Sequence, residues 1–440
     1  MARIVVIGGG LAGLATAAAL GGDGHEVEVL EARPYPGGRA ASYEVPGVTA
    51  GQSIDNCQHI LLRCCVNLLD FYRRMGAERA IEFHKQYSFI EPGGRVSVMK
   101  AGLLPAPLHF AESFVTLRFL SLMDKLAVGR ALLALRRERL TRTDLDRMTM
   151  LEWLKEKRQT PRAIERFWRQ ILVSAINEEL DRMAASHGFQ VFWLGFLASG
   201  DNFQMGIPKV PLGDLYSARR WAALPGVRFK FRTPVTAIRN DGVKVVGLEA
   251  GSALIEADHY ISALPLDRLS FLAPDLDVRF DEFEYSPITG IHLWFDRPVT
   301  ELPHGALLDS PIQWFFNKKD GEYLQLVVSA SRQLTSMGKN GVVALALREL
   351  ARFLPRTRDA RLLDAHVVKE MKATFSARPG LKRYRPGPET RYANLSLAGD
   401  WTRSGWPATM EGAVRSGYIA AGHASARLGQ PRSYLLPDIA

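Results

Sequence analysis

The first 30 residues alternate between apolar runs and glycine, and this pattern predicts a strand, a tight turn, a helix and a second strand. Apolar residues at 4–7 predict the first strand, and an alanine-rich stretch ending at Leu20 predicts the helix. Residues 27–30 predict the second strand, which is followed by Glu31. This order is typical of a parallel sheet with helices on its faces.

Further along the chain, the period of the apolar positions changes several times. Residues 60–75 have helical spacing, and a Pro-Gly-Gly turn between two apolar runs predicts a hairpin at 85–98. Helices are predicted across 107–199, with a capping box starting at Thr149 and a helix starting at Pro161. The remaining predicted elements are short strands within 220–270, strands at 288–295, 312–316, 323–329 and 366–375, a helix at 341–353, and a final strand and helix after residue 394.

The glycines of the first turn predict a dinucleotide site. Gly8 allows the tight turn, Gly10 lets the backbone approach a pyrophosphate, and Gly13 lets helix and strand pack closely. The free N–H groups at the helix start favour phosphate, and Glu31 can accept hydrogen bonds from ribose hydroxyls. A signal peptide or anchor is disfavoured, because three consecutive glycines make a poor apolar helix. The residues predicted to bind here are Gly8, Gly10, Leu11, Ala12, Gly13, Glu31 and Ala32.

A second glycine motif distinguishes flavin from nicotinamide. Gly37-Gly38-Arg39 follows Glu31 and resembles the second fingerprint of the FAD-dependent amine oxidase and carotenoid desaturase superfamily. Gly38 would bring backbone close to the cofactor, and Arg39 would pair with a phosphate oxygen. The alternative is an ordinary Pro-Gly turn with a solvated arginine.

Two later segments carry the same resemblance. The pair Gly399-Asp400 ends a short apolar strand, and the resemblance implies that Asp400 binds a hydroxyl of the FAD chain. It also implies that the backbone of Val235 meets the adenine. Residues 405–417 resemble the segment that opens the last helix beneath the flavin. The N-terminus of that helix would stabilise negative charge on the reduced ring. The residues implied at that helix start are Ala408, Thr409 and Met410.

The resemblance implies an α/β (α+β) fold with a discontinuous, Rossmann-like FAD-binding domain. We expect that domain to comprise residues 1–85, 220–285 and 385–440. An interleaved substrate domain of helices and mixed sheet would comprise 86–219 and 286–384. This interleaving comes from the superfamily pattern and not from the periodicity of the chain.

Composition narrows the class of partner and the compartment. The 440 residues carry a formal net charge of +10, which favours an acidic partner such as anionic lipid or a phosphate ligand. Nucleic acid is disfavoured because no zinc spacing, RNA-binding aromatic motif or long basic tract is present. Three cysteines, two of them adjacent, do not form a disulfide framework, so we expect a reducing, cytoplasmic location and no metal site. No segment after Leu20 approaches the length of a membrane span.

Residues 51–72 and 399–417 resemble the hydroxysqualene dehydroxylase family, formerly called squalene-associated FAD-dependent desaturases. The resemblance covers essentially the whole chain. It implies reductive removal of an allylic hydroxyl from hydroxysqualene by hydride from N5 of reduced FAD, giving squalene for hopanoid or related lipid synthesis. The reductant of the flavin, a nicotinamide or another carrier, stays open.

The leaving hydroxyl needs a proton donor, because hydroxide leaves poorly. Asp55 and His59 lie in the first distinctive segment and Glu411 in the second, so these three are the candidate catalytic residues. Each has a structural alternative. Asp55 would accept a structural hydrogen bond or touch the cofactor, His59 would be a satisfied interior imidazole, and Glu411 would cap the last helix.

A C30 hydrocarbon needs a long apolar site. Residues 189–198 are one candidate wall, through Phe192, Trp193 and Phe196, with a plain buried helix as the alternative. For Trp406 two positions are predicted as alternatives: in the wall of the pocket that holds flavin and substrate, or in the core. Because such a substrate lives in the bilayer, we expect peripheral contact at the inner face of the cytoplasmic membrane. The basic stretches considered for that contact, or alternatively as solvated helix faces, are Arg136–Arg142 and Lys155–Arg169.

Three other functions remain as alternatives. A carotenoid-type desaturase acting on phytoene or diapophytoene would use the same fold with the flavin taking hydride. An amine oxidase is weakly disfavoured, because no cysteine follows Cys65 to carry a covalent flavin. A non-catalytic prenyl-binding escort, like the GDP-dissociation inhibitors, has no need of both Arg39 and Asp400.

Overall fold

The computed structural model describes residues 1–45, 51 and 53–439. Its α-helices, in chain order, are α1 Leu11–Gly22, α2 Val66–Arg74, α3 Ala111–Thr116, α4 Leu122–Thr141, α5 Met150–Glu156, α6 Pro161–Ala163, α7 Gln170–Ile176, α8 Ala185–Phe192, α9 Leu212–Leu215, α10 Ala218–Trp221, α11 Leu266–Leu272, α12 Lys339–Phe353 and α13 Met410–Arg427. Two π-helical segments, Ile164–Arg169 and Trp193–Leu197, follow α6 and α8 directly.

The strands form five sheets among the described residues. In chain order they are β1 Arg3–Ile7, β2 Glu26–Leu30, β3 Ser42–Glu44, β4 Ser53–Asp55, β5 Leu61–Leu62, β6 Ile81–His84, β7 Gln86–Ile90, β8 Val96–Lys100, β9 Met205–Pro208, β10 Val227–Lys230, β11 Val235–Asn240, β12 Val245–Ala250, β13 Ala253–Ile255, β14 His259–Ser262, β15 Tyr285–Phe295, β16 His304–Leu307, β17 Trp314–Lys319, β18 Tyr323–Val328, β19 Leu362–Phe375 and β20 Leu395–Leu397.

A parallel sheet of five strands, in the order β10-β2-β1-β14-β20, takes its strands from the start, the middle and the end of the chain. Residues 4–7 of its central strand are buried, as an apolar run without alternation predicts. This arrangement confirms the α/β fold class. The exact domain bounds stay a prediction.

Helices α1 and α13 pack closely against each other beside this sheet. A Cβ on Gly417 would lie 2.3 Å from the carbonyl oxygen of Ala12, so only glycine permits the approach. The hydroxyl of Thr16 donates to the carbonyl oxygens of both Ala12 and Gly417. The first and last helices of the chain are therefore held together through Ala12, Thr16 and Gly417.

The second large sheet has seven strands in the order β19-β15-β18-β17-β16-β7-β8, and all its pairs except β16–β7 are antiparallel. The largest apolar core includes one end of this sheet and the helices between residues 122 and 192. The sheet contributes Tyr87 and Trp314 to that core, and the helices contribute Trp153 and Phe192.

Most local predictions are confirmed, and one is wrong. Thr149 and Glu152 form the predicted capping box, and Pro161 begins its helix behind the cap of Thr160. Residues 60–75 do not form one helix. Leu61–Leu62 form a short strand paired with β9, and the helix starts only at Val66. Tertiary pairing overrides the helical spacing of the leucines.

The three cysteines are free and buried. Burial raises the pKa of Cys57 to about 12, so its thiol stays protonated at neutral pH. In the part of the chain that the structure describes, no helix is long and apolar enough to cross a bilayer.

Candidate functional site

The two glycine motifs contact each other at the carboxyl edge of the parallel sheet. The N–H of Gly37 donates to the carbonyl oxygen of Gly9 at 2.7 Å, and Gly10 and Gly37 form a parallel bridge. A Cβ on Gly38 would lie 3.0 Å from the Cα of Gly10. One backbone surface therefore joins both predicted fingerprints.

The turn at Gly10, which was predicted to bind a pyrophosphate, is uncrowded. A Cβ on Gly10 would meet nothing nearer than the Cα of Gly38 at 3.9 Å, so the turn faces open space. Helix α1 begins at Leu11 and continues through Ala12, without a side-chain cap and without an acidic residue in its first turn. Its N–H groups and positive end are thus available to an anion.

The other two glycines of the first motif are required by packing. A Cβ on Gly13 would lie 2.0 Å from the carbonyl oxygen of Gly8, which no side chain permits. Gly8 has a φ of +103° and lies against the carbonyl oxygen of Ala263. These positions therefore demand glycine whether or not a cofactor is bound.

Glu31, which was predicted to bind ribose hydroxyls, makes hydrogen bonds within the first turn of the chain. Its Oε2 accepts from the N–H of Gly9 at 2.8 Å, and its Oε1 accepts from the N–H of Arg33 at 2.8 Å. Glu31 is 8% exposed as a residue and directly precedes Ala32. Its role toward a ribose stays a prediction, since these contacts are made within the chain.

Arg39 and Asp400 come together from opposite ends of the sequence. One guanidinium nitrogen of Arg39 lies 2.5 Å from Oδ1 of Asp400, and another donates to the carbonyl oxygen of Ala373. Asp400 is buried beside Gly399, whose N–H donates to the hydroxyl of Ser416 on α13. Arg39, which was predicted to bind a phosphate, and Asp400, which was predicted to bind a hydroxyl of the FAD chain, therefore lie in one cluster.

The N-terminus of α13 lies at the end of an apolar cavity. Thr409 caps this helix by accepting from the N–H of Gly412 at 3.0 Å. Thr409, Met410 and Glu411 line the cavity together with Trp406, while Ala408 is buried just before the cap. Val235 lies at the start of β11, half-buried, and its adenine contact stays a prediction.

Glu411 does not cap the last helix, which was the structural alternative for it. Its two carboxylate oxygens instead accept from the N–H groups of Asn67 and Leu68, at 3.2 and 2.7 Å, in the first turn of α2. It is 1% exposed, and this burial raises its pKa. The side chain thus ties α13 to α2 and remains at the cavity edge.

Asp55 and His59 lie in a different cluster, outside the lining of this cavity. Asp55 accepts from the hydroxyl of Ser42 at 2.7 Å and from the N–H of Leu212 at 2.9 Å. Nδ1 of His59 lies 2.9 Å from a backbone carbonyl oxygen, and burial lowers the pKa of this imidazole. These contacts match the structural alternatives, while the catalytic roles stay predictions.

Lys318 is a member of this second cluster that the sequence did not indicate. Its Nζ lies 3.9 Å from Asp55 and donates to the side chain of Gln58 at 3.1 Å. Burial lowers the pKa of Lys318, and the charge of Asp55 opposes that change. No motif marks this lysine, because it reaches the cluster from β17, more than 250 positions away.

The cavity is walled almost entirely by apolar and aromatic side chains. Its free volume of about 180 Å³ is below the roughly 300 Å³ of a small-molecule pocket, so a C30 chain needs side-chain movement to enter. Its residues come from α2, α7, α8 and the seven-stranded sheet, and no local motif links these elements in the sequence. Its main aromatic and aliphatic members are Ile60, Leu68, Tyr87, Phe89, Met99, Ile171, Ile176, Leu194, Phe196, Trp314 and Trp406.

The four predicted substrate residues separate in the structure. Phe196 and Trp406 line the cavity. Phe192 is 2% exposed and packs on Trp168 with ring centroids 4.6 Å apart, so it belongs to the core. Trp193 lies under the guanidinium of Arg139, 3.5 Å from the ring centroid, and is not among the lining residues. Phe196 lies in the π-helical turn after α8, and its ring still contacts that of Phe192, with centroids 5.7 Å apart.

Comparison with known proteins agrees with this geometry. The family of flavin-containing amine oxidoreductases matches residues 11–424. A 15-cis-phytoene desaturase from Synechococcus elongatus is 28% identical over 95% of this chain and 95% of its own length. A hydroxysqualene dehydroxylase from Zymomonas mobilis is 29% identical over 94% of this chain and 97% of its own. The crystal structure of an oxidoreductase from Methanosarcina mazei shares the fold, with a TM-score of 0.72, 18% identity and coverage of 94% and 98%.

In the described part of the chain, no group of three or more His, Cys, Asp or Glu side chains is arranged to hold a metal ion. The polar groups of the site are instead a glycine-lined backbone edge, the Arg39–Asp400 pair and a helix N-terminus. This donor set suits a dinucleotide with a redox-active ring, and its apolar neighbour suits a hydrocarbon.

Proposed function

Because the chain belongs to the family of flavin-containing amine oxidoreductases and its site fits FAD, we propose that it acts on a C30 isoprenoid and reductively dehydroxylates hydroxysqualene to squalene. Such a step would supply squalene for hopanoid or related lipid synthesis. The observation that carries the proposal is the apolar cavity ending at the first turn of α13. A hydrocarbon there would lie beside the helix end that faces the cofactor.

The chemistry requires exclusion of water. The allylic C–O bond breaks once its oxygen is protonated, water departs, and the carbocation left behind would return to alcohol if water reached it. FAD, when bound in its reduced form, supplies the hydride that makes the new C–H bond. The rings of Tyr87, Phe196, Trp314 and Trp406 line the space in which that carbon must be held and keep it dry.

The proton must come from a group that reaches the cavity. Glu411 lines the cavity, and burial raises the pKa of its carboxyl, which favours the protonated form. Asp55, His59 and Lys318 lie outside the lining residues. Glu411 is therefore the first candidate donor to test, although its hydrogen bonds to α2 give it a structural role as well.

A second candidate function is desaturation of a carotenoid precursor. It is favoured by the match to a phytoene desaturase, which covers as much of this chain as the match to the dehydroxylase. The same apolar cavity would hold a polyene, and the flow of electrons would be reversed.

One experiment separates the two functions. The FAD-loaded protein is reduced without oxygen and given hydroxysqualene, and in parallel the oxidised protein is given phytoene with an electron acceptor. We expect squalene in the first reaction and no desaturated product in the second. Squalene absent from the first and product in the second would overturn the dehydroxylase proposal in favour of the desaturase.

A further inference from the structure

Helix α4 has apolar residues on two opposite faces. Its inner face, through Ala127, Val128, Ala131 and Leu135, is buried in the main core. Its outer face has four leucines that are 51–74% exposed and that fall within about 40° of one another on the helix. A surface helix normally carries polar residues there. These leucines are Leu122, Leu126, Leu133 and Leu140.

The leucine stripe continues onto the preceding segment. Leu103 is 97% exposed, Leu108 is 58% exposed, and Val115 on α3 is 69% exposed. The Nζ of Lys125 on α4 donates to the carbonyl oxygen of Val115 at 2.6 Å, which fixes α3 beside the start of α4. We call this surface the α3–α4 face. Its exposed apolar residues are Leu103, Leu104, Leu108, Val115, Leu122, Met123, Leu126, Leu133 and Leu140.

Basic side chains border the leucines on both sides of α4. By helical spacing, Arg130 and Arg137 lie on one side, and Lys125 and Arg136 on the other. Within the described residues, none of these three arginines forms an ion pair, and all three are exposed. By contrast, the second basic stretch considered from the sequence is engaged internally, for example by Arg169 with Glu179 at 2.7 Å.

The acidic residues of α4 are turned away from this face. Asp124 is buried in the capping box of the helix with Ser121. Glu138 accepts from the indole of Trp153 at 2.8 Å on the protein side of the helix. The outer face therefore combines exposed leucines and unpaired cations without a carboxylate of its own helix.

The α3–α4 face adjoins the cavity wall. Phe110, in the loop just before α3, lies 6.1 Å from Phe196 and 4.8 Å from Phe203 between ring centroids. Phe196 lines the cavity, and Tyr87 beside it does too. A single layer of aromatic rings thus connects this exposed surface with the apolar space inside.

We propose that the α3–α4 face docks on an anionic lipid bilayer, with the leucines in the acyl boundary and the arginines at lipid phosphates. A helix with an apolar stripe flanked by Lys and Arg lies in the plane of a membrane interface, and each cation near the surface adds attraction to anionic lipid. A second copy of this chain is disfavoured as the occupant, because a self-paired face would bring unpaired arginines together. The inference holds whichever isoprenoid is the substrate.

Flotation with vesicles tests the proposal on the FAD-loaded full chain. We expect the protein to float with vesicles of phosphatidylcholine plus phosphatidylglycerol, and to float much less with phosphatidylcholine alone or in high salt. The variant Leu126→Ser/Leu133→Ser should lower the partition coefficient by about tenfold for each leucine. Arg130→Gln/Arg137→Gln should lower it by about fivefold for each arginine, on the anionic vesicles alone.

Matched controls carry the same changes on other surfaces. Leu254 and Phe271 are 52% and 80% exposed on β13 and α11, so Leu254→Ser/Phe271→Ser should float like the parent. Arg219 and Arg228 are exposed outside the α3–α4 face, so Arg219→Gln/Arg228→Gln is the control for the arginine variant and should also float like the parent. Flavin absorbance and the thermal midpoint establish that each variant is folded.

Three results would overturn the proposal. The parent protein fails to float with anionic vesicles, the leucine variant floats as well as its control, or sedimentation shows a dimer that the leucine variant dissociates while vesicle binding is unchanged. None of these depends on product formation, so failure of this inference and failure of the dehydroxylase proposal remain distinguishable.

Discussion

Arg39 and Asp400 lie 361 positions apart in the sequence and form an ion pair of 2.5 Å in the folded chain. Each belongs to a different motif, one following the second strand and the other following the last strand of the same sheet. Their contact joins the two ends of the chain at the edge where the glycine turns face open space. Loss of either side chain should therefore lower both the stability of the fold and the occupancy of FAD.

Replacing Arg39 with alanine should leave the buried carboxylate of Asp400 unpaired. We expect Arg39→Ala to lower the free energy of unfolding by about 1.5–3 kcal/mol and to reduce FAD occupancy. Arg39→Lys should be intermediate, because lysine keeps the charge but not the forked geometry. Denaturant titration and the ratio of flavin to protein absorbance measure the two effects.

The control for this pair is an exposed one. Arg239 and Glu249 lie 2.6 Å apart at the surface, and Arg239→Ala should change stability by less than about 1 kcal/mol. Full FAD occupancy in Arg39→Ala would contradict a cofactor role for the arginine.

Gly10→Val should prevent FAD binding while the chain still folds. The added side chain would enter the open space before α1, where its Cβ meets nothing closer than 3.9 Å. Gly200→Val is a matched control, because a Cβ there also has nothing within 4 Å. We expect colourless protein from the first variant and yellow protein from the second. A yellow Gly10→Val protein would show that the pyrophosphate does not lie there.

Glu31→Ala should remove the two acceptors that hold Gly9 and Arg33. We expect loss of FAD together with a fall of about 2 kcal/mol in the free energy of unfolding. Glu31→Gln retains one acceptor oxygen and should lose less of both. Equal behaviour of the alanine and glutamine variants would mean that these two hydrogen bonds contribute little.

Glu411 should make stability depend on pH in a defined direction. Its pKa in the folded chain is raised above the ordinary value of 4.5 by burial, so folding favours the protonated carboxyl. That contribution is complete below pH 4.5 and is lost as the pH rises through the folded pKa. The thermal midpoint of the parent protein, measured relative to Glu411→Gln, should therefore fall across this range. A difference that stays constant with pH would contradict the shift.

Two variants of Glu411 separate its structural role at α2 from a role as proton donor. Glu411→Ala removes the cap of α2 and should lower the free energy of unfolding by about 1–2 kcal/mol. If Glu411 also protonates the leaving hydroxyl, Glu411→Gln should abolish squalene formation while retaining FAD and most of the stability. Normal turnover by Glu411→Gln would assign the proton to another group, and Lys318→Met and Asp55→Asn would be tested next.

Ala175 lines the cavity and is exposed, so we expect the cavity to open to solvent beside it. Ala175→Phe should raise the KM for a C30 substrate by tenfold or more, because the added ring obstructs entry, and should leave FAD binding unchanged. Ala222→Phe, at an exposed alanine outside the cavity lining, is the control. An unchanged KM in Ala175→Phe would place the entrance elsewhere.

Local signals in the sequence predicted the fold class, the glycine turns and the cofactor FAD, while the individual FAD contacts stay predictions. Gly8, Gly10 and Gly13 act through backbone geometry within one turn, and Thr149 caps its own helix, so neighbours in sequence are enough to predict them. The α/β class follows from the same short-range order of strand and helix. FAD was predicted from the motif at Arg39, which lies within ten residues of the second strand.

Predictions that depended on distant partners were less accurate. Leu61–Leu62 became a strand because β9 pairs with it, against their helical spacing. Glu411 caps α2 and not α13, because α2 is brought to it by the packing of the two helices. Phe192 and Phe196 have the same chemistry and lie one turn apart, yet only Phe196 lines the cavity.

Sequence patterns alone were sufficient to predict the parts of this protein that depend on local backbone geometry: the glycine turns, the helix caps and the order of strands and helices around the glycine motifs. Which side chains contact each other became evident only in the folded chain: Arg39 with Asp400, Lys318 with Asp55, and the aromatic rings that line the cavity. The physical reason is that a turn or a cap depends on residues within a few positions of each other. Burial and electrostatic neighbours depend on how distant segments pack, which no single stretch of sequence contains.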